Sequence, residues 1–90
     1  MIPEGTPLID TTVRAVLSDI LGLDRTRVDA FTATTPLFGS LPELDSLAVA
    51  SVLTELEDRL GIVIDDDEVS GEMLETYGAL LTFASGKALS

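Results

Sequence analysis

Ser46-Leu47-Ala48-Val49-Ala50-Ser51-Val52-Leu53-Thr54-Glu55-Leu56-Glu57-Asp58-Arg59-Leu60-Gly61 is the stretch whose reading decides the fold. At about 100° per residue, Val49, Val52, Leu53, Leu56 and Leu60 share one face. Ala48, Ser51, Thr54, Glu55 and Asp58 fall on the other. Leu47 also lands on that outer face, nearly opposite the stripe. Gly61 is a natural stop after the last turn. The pattern predicts an amphipathic helix over 46–60.

Upstream, Ile9, Val13, Val16, Leu17 and Ile20 repeat at helical spacing. Thr6 suits the N-cap, Pro7 the first helical position, and Gly22 the end, which predicts a helix over 7–21. Residues 22–45 hold Gly22, Pro36, Gly39 and Pro42 and no sustained period. Leu23, Val28, Phe31, Leu37, Phe38 and Leu41 punctuate them, so the expectation is a long ordered loop pinned to the core. Downstream, Ile62-Val63-Ile64 has no partner to pair with as a strand. A short irregular helical segment is expected within 66–74, interrupted by Gly71. Thr76 suits the N-cap of a last helix with Tyr77, Leu80, Leu81 and Ala84 inward. Gly86 would close that helix, and Lys87 would complement its dipole. The fold class is therefore all-α: a small bundle of three principal helices plus a short helix, with a long first loop, in a single domain over residues 1–90.

Composition narrows the function. Ninety residues suit one domain with a modest core. Sixteen acidic residues stand against five basic ones, a net charge of −11. Such a chain repels phosphate backbones and anionic lipid head groups, so neither nucleic acid nor membrane insertion is expected. A protein partner with a basic surface fits better. The absence of Cys and His removes the thiolate nucleophile, the commonest general base and the commonest metal ligands. No basic leader or membrane-length apolar run is present, and the expectation is a cytoplasmic monomer without enzymatic activity.

Asp45-Ser46-Leu47, at the junction of loop and helix, carries the chemistry. Asp45 can cap the helix and leave the Ser46 hydroxyl outside the core. A helix N-terminus has unpaired N–H groups and partial positive charge, which suit a phosphodiester. Asp and Ser also cap helices with no further role.

The run Thr35-Pro36-Leu37-Phe38-Gly39-Ser40-Leu41-Pro42-Glu43-Leu44-Asp45-Ser46-Leu47, with the helix ending Leu56-Glu57-Asp58-Arg59-Leu60-Gly61-Ile62, resembles the acyl carrier protein family. The resemblance implies that Ser46 receives a 4′-phosphopantetheine arm, whose thiol holds acyl intermediates as thioesters. That would account for a carrier without cysteine. It implies as partners a phosphopantetheinyl transferase and acyl-loading, modifying or transferring enzymes with basic docking surfaces. Leu47, Ala50, Ser51, Thr54, Glu57 and Asp58 are the docking candidates, and Leu53, Ile64, Leu74 and Leu80 the acyl-pocket candidates. Lipid, fatty acid or polyketide biosynthesis is the implied setting. Glu43-Leu44-Asp45 lacks the Gly-rich segment and His usual before the modified Ser of peptidyl carriers. Ala48 and Ser51 stand where carriers of fatty-acid synthesis typically have acidic residues. In this the chain is similar to specialised carriers such as those of exosortase-type polysaccharide systems.

Other motifs fail on spacing. A calcium loop starting at Asp65 would need an oxygen ligand at 69 and Gly at 70, where Val69 and Ser70 stand. Gly86-Lys87 lacks the upstream Gly and following hydroxyl of a phosphate loop. Two alternatives stay open: an unmodified acidic helical adaptor in which Ser46 only caps, and an aminoacyl or peptidyl carrier variant.

Overall fold

The computed structural model describes residues 6–89. Its elements run α1 (Thr6–Leu21), α2 (Arg25–Asp29), α3 (Ser46–Leu60), 3₁₀ turns at Asp66–Glu68 and Glu72–Leu74, and α4 (Tyr77–Leu89). No strand occurs among the described residues; one isolated antiparallel bridge joins Pro36 to Thr76. The all-α bundle is as expected.

The apolar stripes meet in one core. Ile9, Val13, Val16 and Leu17 of α1 are buried with Val52, Leu53 and Leu56 of α3 and Tyr77, Leu80 and Ala84 of α4. Gly22 and Gly61 end α1 and α3 with positive φ, 69° and 63°, where a side chain would strain the backbone. The side chains of Thr6 and Pro7, expected to open α1, fall outside those described. At α4 the Thr76 hydroxyl accepts from the Ala79 N–H at 3.1 Å, which makes Thr76 the cap.

The stretch 22–45 is less irregular than expected. It contains α2, five residues long, too short for periodicity to show. Leu23, Val28, Phe31, Leu37 and Leu41 are buried, but Phe38 is 45% exposed. Leu44, not counted among the anchors, is buried at 3%. Main-chain bonds then fasten the loop to the end of the second 3₁₀ turn and the start of α4: Leu37 N–H to Glu75 O (2.9 Å), Phe38 N–H to Leu74 O (2.9 Å), Tyr77 N–H to Thr35 O (2.8 Å) and Gly78 N–H to Ala33 O (3.0 Å). A side chain at Gly78 would meet Ala33 O at 2.6 Å, so close an approach requires glycine.

A polar knot completes the attachment. Arg14 donates to both Asp10 carboxylate oxygens (3.1 Å), to Val28 O (2.6 Å) and to Phe31 O (3.0 Å). Its guanidinium lies 4.5 Å from the Tyr77 ring centroid. The buried Tyr77 hydroxyl donates to the Asp10 carboxylate. Burial, then Asp10, pushes the Tyr77 phenol above its ordinary range, because ionisation would place a second negative charge there.

Three further expectations are corrected. The helical segment in 66–74 is two separate 3₁₀ turns, with Gly71 at the head of the second. Gly86 does not end α4, which continues to Leu89. Ala48 is not on the open face but half-buried against the core, while Val49, Leu60 and Leu81 are only partly buried.

Candidate functional site: the amino end of helix α3

Asp45 sits in extended conformation and its carboxylate accepts from the Ala48 N–H at 2.8 Å. The Val49 N–H bonds to Asp45 O at 2.8 Å, the first helical bond of α3. Asp45 is thus the cap, and Ser46 is the first helical residue. The N–H groups of Ser46 and Leu47 have no acceptor among the described residues, as geometry demands of a first turn. Ser46 is exposed, and its hydroxyl has no partner among the described residues. A capping role for Ser46 is therefore removed.

Leu44 is what fixes this corner. Its burial, with Leu41 beside it, turns the chain so that α3 starts with Ser46 outward. Leu41 N–H and Leu44 N–H close the two preceding turns onto Leu37 O (2.9 Å) and Leu41 O (3.0 Å). Leu47 is 81% exposed.

Two grooves flank Ser46. One, about 460 Å³, runs between α3 and the 61–69 segment, with Val49, Ala50, Leu53, Thr54, Glu57, Ile64, Asp66 and Val69 along it. The other, about 240 Å³, is bounded by Phe38, Val49, Val69, Ser70, Gly71 and Leu74. Leu53 and Ile64 thus come together in the first and Leu74 lies in the second. Leu80 lines neither and is fully buried. Val69, Asp66 and Phe38 were not singled out as groove residues, and the irregular stretches that contain them offer no periodic signal.

Ala50, Ser51, Thr54 and Asp58 are exposed on α3. Glu55 is turned to Arg59 (2.8 Å), which also bonds Asp19 of α1 at 2.9 Å. Glu57 differs from its docking neighbours: half-buried, its carboxylate accepts from the Ile64 N–H at 2.8 Å.

Residues 11–84 match the family model described as phosphopantetheine attachment site. The chain belongs to this family. Covalently attached phosphopantetheine is accordingly its cofactor, and its role is that of a carrier protein, not of an enzyme. The chain is also similar to the holo acyl carrier protein from Nitrosomonas europaea, solved in solution by NMR. The two are 41% identical, with a TM-score of 0.77 over 87% of this chain and 92% of that one. No curated protein matches the sequence. The amino end of α3 fits the family's group: it offers an accessible hydroxyl, two free N–H donors and the positive end of a fifteen-residue helix. No group of His, Cys, Asp and Glu suited to a metal ion occurs among the described residues. No described helix is long and apolar enough to cross a membrane.

Proposed function

We propose that Ser46 is the residue that carries the 4′-phosphopantetheine arm, and that the chain works as an acyl carrier protein shuttling acyl intermediates between partner enzymes. The observation that carries this reading is the exposed, unbonded Ser46 hydroxyl at the first position of α3, between two grooves. When attached, the arm supplies the thiol that the sequence lacks, so that cargo is held as a thioester. Ser46 supplies the oxygen of the phosphodiester. The N–H groups of Ser46 and Leu47 favour the anionic linkage beside them. Leu53, Ile64 and Val69 give the larger groove apolar wall against which an acyl chain can rest.

Leu47, Ala50, Ser51, Thr54 and Asp58 form the face an enzyme must cover to reach Ser46. The net charge of −11 favours a basic partner surface, beginning with a phosphopantetheinyl transferase. The rate of arm transfer should fall as salt rises, since exposed charges are screened. Intact mass after treatment with such a transferase and coenzyme A tests the assignment. A single added arm on the wild type and none on Ser46→Ala is expected. An unmodified wild type, or an arm retained by Ser46→Ala, overturns it. Because Ser46 caps nothing, Ser46→Ala should leave the fold intact, and circular dichroism checks this.

A further inference from the structure

The outer wall of the larger groove is the 61–69 segment, and no residue in it is buried. Burial of apolar side chains, the usual means of fixing a segment, is therefore slight here; Ile64 is only partly covered. Polar ties hold the wall instead, and they lie at its two ends. At the α3 end all of them converge on one residue. The Gly61 and Ile62 N–H groups donate to Glu57 O, the latter at 3.1 Å. The Ile64 N–H donates to the Glu57 carboxylate at 2.8 Å. At the far end the Glu68 carboxylate accepts from Lys87 Nζ of α4 at 2.8 Å and from the Asp65 N–H at 3.2 Å. Asp66, between these ends, and Val69, just past Glu68, line the groove.

We propose that Glu57 is a positioning residue that sets the width of the groove beside Ser46: its carboxylate bond to the Ile64 N–H is the releasable latch of the 61–69 wall, a strap fastened at its other end through Glu68 to Lys87. The main-chain bonds at Gly61 and Ile62 belong to the end of α3 and stay in any conformation that keeps the helix. The carboxylate bond to Ile64 is different. It is made by a side chain with rotamers of its own, and it is the tie nearest the groove. Turning the Glu57 carboxylate away frees the Ile64 N–H to water and lets Ile64 and Val69 swing from Leu53 and Val49. A wall held by few polar bonds and little buried apolar surface opens locally at far lower cost than the bundle unfolds. The same feature explains why Glu57, alone among the residues expected to meet partners, points its carboxylate inward.

The inference rests on the carrier reading for the identity of the cargo, but the strap itself can be tested without it. Amide hydrogen exchange on the unmodified chain, read residue by residue by NMR, is the first measurement. In Glu57→Ala the Ile64 amide should exchange about tenfold faster or more, while Val52 and Leu56 amides in α3 keep their protection. Glu57→Gln, which retains an acceptor oxygen, should restore most of the Ile64 protection. A general loss of stability would instead raise exchange across α3 equally. The second measurement is the lifetime of an octanoyl thioester on the loaded chain. Glu57→Ala should shorten it several-fold and Glu57→Gln should not, with an acetyl thioester, too short to fill the groove, insensitive to both. Unchanged Ile64 exchange in Glu57→Ala overturns the strap, whatever happens at Ser46. Faster exchange with an unchanged octanoyl lifetime overturns its role in holding cargo. Failure of Ser46 to accept an arm removes the carrier reading while the exchange result on the unmodified chain stands.

Discussion

The two 3₁₀ turns that follow α3 are a few residues apart and have opposite supports. Glu72–Leu74 buries Met73 and Leu74, and its carbonyl ends receive the Leu37 and Phe38 N–H groups. Asp66–Glu68 buries nothing; Lys87 ties its Glu68 directly, and Glu57 holds only Ile64, two residues before it. Each turn borders one side of the Ser46 surroundings. The difference teaches that the two sides of the Ser46 corner are held by different means: buried apolar side chains resist displacement strongly, and a half-buried ion pair and a single side-chain hydrogen bond resist it less.

The strongest way to break this comparison is to remove the burial. Leu74→Ala should cost about 2–5 kcal/mol by leaving a cavity under the second turn, measured by urea denaturation. A loss comparable to that of a surface substitution would show that the second turn is no better anchored than the first. Next in size is the seam that supports it. Gly78→Ala drives a methyl into Ala33 O and should cost roughly 1–3 kcal/mol, with chemical-shift changes in 33–38 and few in 61–69.

A smaller effect comes from the knot behind that seam. The Tyr77 phenol is raised above its ordinary 10.0, so its protonated form stabilises the fold fully below about that pH. The contribution is lost as pH rises through the folded value. Melting temperature of the wild type should fall more steeply above pH 10 than that of Tyr77→Phe, which should cost about 1 kcal/mol at neutral pH. Parallel curves would remove Tyr77 from the account.

The smallest effect belongs to the half-buried Glu68–Lys87 fastening. Lys87 holds the Glu68 carboxyl below its ordinary 4.5, helped by the Asp65 N–H, so the tie persists at that pH and is lost as acid lowers pH through the folded value. NMR titration of the Glu68 side chain should give a midpoint below 4.5 that rises in Lys87→Met. Identical midpoints in both proteins would mean that the ion pair is not kept in solution.

Much of the architecture was readable along the chain. The 46–60 helix, its glycine stop, the Asp45 cap and the outward Leu47 follow from a period of 3.6 residues and cap chemistry, both of them local properties. The same holds for α1 and for the Thr76 cap. The end of α4 was misplaced because Gly86 weakens a helix without forbidding it. The five-residue α2 escaped notice because it spans little more than one turn, and the inward position of Ala48 because a small side chain gives no clear vote on a helical wheel.

Ser46 at a helix start was thus legible, and so was the acidity of the chain. Leu44 and Phe38 show where local reading stops. Both are large apolar groups in one loop, yet one is buried at 3% and the other exposed at 45%, because only the packed neighbours decide which direction the backbone turns. Glu57 is the same lesson at the site. By sequence it is one more acid on a helix near its end. Its carboxylate holds the Ile64 amide only because the chain beyond Gly61 folds back along α3, a contact between segments that no periodicity encodes. Helices and their caps come from bonds between near neighbours, so the order of residues determined them. The grooves and the strap arise where separate segments meet, so only tertiary packing decided them.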